Sequence, residues 1–175
     1  MLTSFLRSPR TVGSIVPSSA ALGKALSEKI LSDLTANVVE LGSGTGPVTA
    51  QILERLHSPD LLTCIEIDSV LCARFRRDFP DVNLLERDCR DIGALFAGRD
   101  ISNIVSSLPY KSLPRSTTDA IFEQKISLSS SRTVISLFSY DFVFANYHRR
   151  YPIKLIDTSS VFLNCPPARV YHYAL

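Results

Sequence analysis

The stretch V-V-E-L-G-S-G-T-G, Val38 to Gly46, decides the fold. Asn37–Leu41 (N-V-V-E-L) reads as a short apolar strand that runs directly into Gly42. Gly42, Gly44 and Gly46 then alternate through a turn. Three glycines there let the backbone take conformations closed to other residues and come close to a ligand. From Thr45 to Leu56 the pattern becomes helical, with Val48, Ile52 and Leu56 on one face. A dinucleotide-binding turn requires G-x-G-x-x-G, but Pro47 stands at the third glycine position. The spacing here is G-x-G-x-G, with Glu40 two residues ahead of it.

The same alternation continues outward in both directions. Upstream, Pro17–Ser18–Ser19 predicts a capped helix start, followed by Ala20, Leu22, Ala25, Leu26 and Ile30 at helical spacing. Downstream, Leu61–Ile67 predicts a second strand and Ser69–Phe79 a second such helix, with Asp68 as its cap. Val82–Leu85 and Ile101–Ser106 predict a third and fourth strand, and a helix lies around Thr117–Lys125. Arg132–Tyr140 is a long, β-rich fifth strand. Ile153–Asn164 and Arg169–Tyr173 follow each other too closely for a crossover helix, so they predict an antiparallel pair across Pro166–Pro167 at the sheet edge. The fold expected is α/β: a doubly wound, mainly parallel seven-stranded sheet with one antiparallel edge strand. Ligands of such sheets bind at the carboxyl ends of the strands, near the point where strand order reverses.

Composition narrows the class. The chain has 175 residues, 45% hydrophobic and 21% charged, which suits one globular domain. Net charge is +2, from 19 Lys plus Arg against 17 Asp plus Glu, too small an excess to mark a nucleic-acid binder. Cys64, Cys72, Cys89 and Cys165 form no C-x-x-C pair, so they predict free buried or half-buried thiols in a reducing compartment, with no metal site. No apolar run is long enough to cross a membrane, and the N-terminus lacks a signal-peptide core. The expected location is cytoplasmic, with any membrane contact peripheral, on the inner face of the cytoplasmic membrane. His57, His148 and His172 have no acid or nucleophile at motif spacing, and no hydrolase triad is visible.

Acids follow successive strands in register. Glu66 ends the second strand in C-I-E-I-D, where a carboxylate can accept both hydroxyls of a ribose. Asp88 follows the third strand in E-R-D-C, with Asp91 as the expected cap beside it. Together with E-L-G-S-G-T-G, these acids resemble the first motifs of class I S-adenosylmethionine-dependent methyltransferases. The resemblance implies a Rossmann-like domain, S-adenosylmethionine as cofactor, and cofactor contacts at Glu40, Gly42, Ser43, Gly44, Gly46, Glu66, Ile67, Asp88, Cys89 and Ser106. Asp88 would accept from the adenine amino group.

The fourth strand runs into S-S-L-P-Y, Ser106 to Tyr110. Amine-methylating enzymes of this fold carry N-L-P-Y or D-P-P-Y here, and Ser107 replaces the Asn. A hydroxyl cannot copy an amide's grip on adenine. The match to rRNA adenine dimethyltransferases is therefore partial, and an RNA adenine methyltransferase is the alternative reading. Three segments resemble the bacterial phospholipid N-methyltransferases, which methylate phosphatidylethanolamine. They are F-L-R-S-P-R-T-V-G-S-I-V-P-S-S (Phe5 to Ser19), S-S-L-P-Y-K-S-L-P (Ser106 to Pro114) and N-C-P-P-A-R-V-Y (Asn164 to Tyr171). This implies methyl transfer to a lipid head-group amine, with a phospholipid at a membrane surface as partner. The acceptor would be handled by Ser107, the Leu108 carbonyl, Tyr110 and Tyr140, the two tyrosines offering aromatic faces to a cationic product. Phe5, Arg10, Ser18 and Lys111 are candidate substrate contacts. Residues 1–16 would form an arm over the membrane or the site, and 1–175 a single domain. The elements use nearly the whole chain, so the expectation is that no separate RNA-holding domain is present. A cofactor-binding protein without turnover is a third reading.

Overall fold

A computed structural model describes residues 19–30, 36–140 and 147–175. Seven strands form one sheet: β1 (Asn37–Leu41), β2 (Leu62–Glu66), β3 (Asn83–Glu86), β4 (Ile101–Ser106), β5 (Val134–Ser139), β6 (Lys154–Val161) and β7 (Ala168–Ala174). Their order is β3-β2-β1-β4-β5-β7-β6. The first five run parallel, and β7 runs antiparallel to both β5 and β6. The reversed strand thus lies between β5 and the edge strand β6. Strand order reverses between β1 and β4, so a crevice is expected above Leu41 and Ser106, which pair across it.

Each face of the sheet has its own core. On one face, α1 (Ala20–Leu26), α2 (Pro47–Leu53) and α3 (Ser69–Asp78) bury Leu22, Leu26, Val48, Ile52 and Phe75 against Val38, Leu62, Cys64 and Val105. On the other, α4 (Arg115–Leu128) and the turn Gly93–Phe96 bury Ile121, Phe122 and Phe96 against Val39, Leu41, Ile104, Ile135 and Leu137. Each large side chain so buried stabilises the fold by about 1.5–3 kcal/mol before entropy is counted. The helix starts follow local chemistry. Ser19 caps α1 by accepting the Leu22 N–H at 3.2 Å, and Asp68 caps α3 by accepting those of Val70 and Leu71. Cys64, Cys72 and Cys89 are buried free thiols. Cys165 departs from the expectation: it is exposed, because it sits in the β6–β7 turn rather than on a core-facing strand. Among the described residues no helix is long and apolar enough to cross a membrane.

One core residue has no sequence signal of its own. Lys125, on α4, is fully buried, with its Nζ 3.5 Å above the Phe122 ring centroid and 3.0 Å from the Tyr110 hydroxyl. Burial pushes its pKa well below the usual 10.5, only slightly opposed by the nearby Cys89. Between that lowered pKa and 10.5 the unfolded chain binds the extra proton, so this group makes stability rise with pH. Replacing Lys125→Met keeps the volume and removes the penalty. Urea unfolding should show the variant more stable by about 1–4 kcal/mol near neutral pH, with a flatter rise toward about pH 10. A variant less stable than the parent at neutral pH would show that the amine is compensated.

Candidate functional site

The glycine turn occupies the crevice because the backbone ties it there. Gly42 N–H donates to Ile65 O at 2.8 Å, and Ser107 N–H donates to Leu41 O at 2.9 Å. The first and fourth motifs therefore meet side by side. Gly42 has φ +75°, and a Cβ on it would lie 2.6 Å from Leu108 Cδ2. Gly46, at φ +90°, caps α2 directly before Pro47, and a Cβ there would lie 2.1 Å from the Phe79 ring. Gly44 differs. It has φ +58°, yet nothing lies within 4 Å of where its Cβ would be. Two glycines of the turn are demanded by packing, and the third faces open space.

Two buried acids organise the turn. Glu66 Oε2 accepts the Gly44 N–H at 2.9 Å, while Oε1 accepts those of Ile67 and Asp68 at 2.8 and 2.9 Å. The carboxylate thus shapes the turn as well as bordering it, and a ribose would share Oε2 with Gly44. Glu40 is fully buried on β1. Its Oε2 accepts the Thr49 hydroxyl at 2.6 Å and the Cys64 thiol at 3.3 Å. Desolvation raises its pKa to about 7, against the lowering effect of the Thr49, Cys64 and Ser107 side chains. Its other oxygen, Oε1, has no hydrogen-bond partner, and neither has the buried hydroxyl of Ser43 or of Ser107. Ser107 comes near enough to influence Glu40 without making a bond of good geometry. Three unpartnered oxygens around one glycine turn suit a ligand that brings several hydrogen-bond donors, such as the amino-acid end of S-adenosylmethionine.

Other expected site residues are placed differently. Asp88 caps the turn Cys89–Asp91 by accepting the Arg90 N–H, and it pairs with the Arg90 guanidinium at 2.7 Å. Partial burial opposes its ionisation, but the Arg90 hydrogen bonds win and lower its pKa. The cap is therefore Asp88 and not Asp91. An adenine amine there would meet a carboxylate already shared with an arginine. Ile67 presents its N–H to Glu66, and Cys89 is a buried thiol pushed far up by burial. Ser106 is fully buried and its hydroxyl bonds the Tyr110 hydroxyl at 2.6 Å, so that side chain is committed to the core.

Tyr110 itself corrects an expectation. Its ring packs among Phe122 and Tyr147, and its hydroxyl points inward to Ser106 and Lys125. Burial raises its pKa far above the usual 10. It offers no open aromatic face, because the turn Tyr110–Ser112 rolls the ring under the sheet. Tyr140 packs on the opposite core, edge-on to Phe138 at 5.1 Å, and remains half-buried. The two tyrosines therefore do not form a joint cage. The Leu108 carbonyl accepts the Tyr110 N–H at 3.0 Å, and Lys111 is exposed. Phe5, Arg10 and Ser18 lie outside the described residues. No group of three or more metal-ligating side chains occurs among the described residues. Sequence reasoning missed Thr49 and Cys64 as the partners of Glu40. Thr49 carried a usable signal, one helical turn inside a helix whose buried face was otherwise apolar.

The family model described as ribosomal RNA adenine dimethylase matches residues 3–126. The chain belongs to that family. It is an S-adenosylmethionine-dependent methyltransferase. An ornithine lipid N-methyltransferase of Singulisphaera acidiphila is 29% identical over 179 residues, covering 97% of this chain and 92% of the relative. The ribosomal RNA small subunit methyltransferase A of Bordetella pertussis is 34% identical over 108 residues, covering 61% of this chain and 35% of the relative. The chain thus matches about a third of that relative's length. Among solved structures, TrmN from Thermus thermophilus superposes with TM-score 0.72 at 16% identity, over 89% of this chain and 48% of its own. An S-adenosylmethionine-dependent methyltransferase from Clostridium acetobutylicum superposes with TM-score 0.68 at 10% identity, over 98% and 97%. At these identities the superpositions speak for the fold.

Two predictions separate the roles of these groups. Gly44→Ala should weaken S-adenosylmethionine binding strongly while lowering stability by only the left-handed cost of about 1–2 kcal/mol. Gly46→Ala should lower the melting temperature far more, since Phe79 must move. Calorimetry and thermal unfolding of both variants decide this, and equal losses in both assays would refute the division. For Glu40, the carboxyl ionises as pH rises through about 7. If it faces the cofactor's ammonium, affinity should rise about tenfold from about pH 5.5 to about pH 7.5, and Glu40→Gln should flatten the rise. A flat profile in the parent would remove Glu40 from the pocket.

Proposed function

We propose that this methyltransferase acts on the primary amine of a zwitterionic lipid head group, of the phosphatidylethanolamine or ornithine-lipid kind. The observation that carries this reading is Ser107. At the position where adenine-methylating relatives present an amide, this chain has a small hydroxyl, buried and unpartnered beside Glu40. A single hydroxyl can orient an aliphatic amine, but it cannot match the donor and acceptor edge of a flat base. The end-to-end similarity to a lipid N-methyltransferase supports the same reading, since it covers nearly all of both chains.

When bound, S-adenosylmethionine supplies a methyl group on a sulfonium, ready for in-line displacement. The amine must first give up its proton to solvent so that its lone pair can attack; the C–S bond then breaks as the N–C bond forms, leaving a neutral thioether, and the rest of the work is alignment. In this reading Ser107 and the free lone pair of the Leu108 carbonyl orient the acceptor N–H groups. The Gly42–Leu108 contact fixes both against the cofactor turn. Tyr140, half-buried at the end of β5, supplies an aromatic surface on the other side.

The second reading is methylation of adenine in RNA. It is favoured by the family match over residues 3–126, which spans the glycine turn and S-S-L-P-Y. Purified protein with methyl-labelled S-adenosylmethionine should be offered phosphatidylethanolamine vesicles, ornithine-lipid vesicles and unmodified rRNA in parallel. The proposal expects organic-soluble label, lost in Gly44→Ala. Label in RNA alone, or in neither, overturns it.

A further inference from the structure

The β6–β7 turn is the most conspicuous feature that the cofactor pocket does not use. Because β7 runs antiparallel to β5 with Arg169 opposite Ser139, the residues just before it project beyond the carboxyl end of β5. That is the edge of the sheet where the glycine turn opens. Two large apolar side chains stand out from this turn side by side: Phe162 is 73% exposed and Leu163 is 86% exposed. They are the two most exposed large hydrophobics among the described residues. The next residue, Asn164, is only 4% exposed and holds the turn in shape. Its amide donates to Pro166 O at 2.8 Å, and its Oδ1 accepts the Ser19 N–H at 3.0 Å.

That last bond joins the turn to the start of α1. Charge on the two joined segments is one-sided. No Asp or Glu occurs in residues 19–27 or in residues 158–175, whereas Lys24 and Arg169 do. An apolar tip flanked by chain without acids is suited to a surface that is greasy inside and anionic outside. An RNA would reward the cations but not the exposed Phe162 and Leu163. We propose that the Phe162–Leu163 tip inserts into the interfacial region of a bilayer containing anionic lipid, setting the open edge of the sheet against the membrane. The inference rests on the lipid reading above and adds to it how the lipid would reach the site.

The chain contains no tryptophan, so Leu163→Trp introduces a single reporter. With vesicles of phosphatidylethanolamine and phosphatidylglycerol, its emission should shift to the blue and be quenched by lipids brominated on the acyl chain. Independently, the double variant Phe162→Ser with Leu163→Ser should co-sediment with the same vesicles about tenfold more weakly than the parent or worse. It should keep the parent's melting temperature and S-adenosylmethionine affinity, since both side chains are largely exposed and neither belongs to a buried core. Unshifted emission, or sedimentation equal to the parent's, overturns the proposal. So does a parent dimer that the double variant dissolves, which would make the tip a contact between copies, or a shift with RNA but not with vesicles. If the tip binds membrane while no lipid is methylated, the docking surface stands and the acceptor assignment fails. If lipid is methylated with sedimentation unaffected, the reverse holds.

Discussion

A single buried carboxylate sets the shape of the glycine turn after β1. Glu66 ends β2 almost wholly buried, and its two oxygens take up backbone N–H groups from Gly44, Ile67 and Asp68. Hydrogen bonds to an ionised acceptor contribute about 1.5–3 kcal/mol each when considered alone. They do more than add stability, because they decide where the Gly44 amide points. The amide is drawn toward β2 and the far side of Gly44 is left open. The same carboxylate turns the chain into the cap of α3 through Asp68. Glycine turn, second strand and third helix are thus positioned by one group.

Much of this was legible in the sequence, for identifiable reasons. Strands β1 and β4 fall where the apolar runs place them: a parallel strand covered on both faces is built mainly from Val, Ile and Leu, and this signal survives Glu40 in β1 and Ser102 and Asn103 in β4. The α3 cap and the register of Glu66 follow from local rules that tertiary contacts do not overturn. The less legible part is what side chains do after the backbone is set. Asp88 and Tyr110 were read from motif position, yet one is drawn to Arg90 two residues away and the other rolls inward to meet Lys125 on a different element. A contact between residues on separate helices and turns leaves no periodic trace. Lys125 shows the difficulty most plainly: a cation at a core position of α4 contradicts every pattern rule, and only the rings of Tyr110 and Phe122 make it intelligible.

The division of the protein into two cores separates a rigid interior from an exposed rim. The core around α4 holds Tyr110, Ser106 and Lys125 as a closed polar chain with no route to solvent. The other core takes in Tyr140 together with Val161 and Ala168, the residues from which the exposed β6–β7 turn springs. The first half gives the S-S-L-P-Y segment a rigid footing. The second meets the outside. Residues of the exposed turn can therefore change while that footing stays as it is.

The contact between Gly42 and Leu108 has a consequence of its own. The two positions lie far apart in the chain, yet the space for a methyl group on one is already filled by the other. They behave as one steric locus. Descent with modification can pass through it only by paired changes, a smaller residue at 108 before anything larger at 42. A lineage that has drifted at one of them should carry the mark of that order at the other.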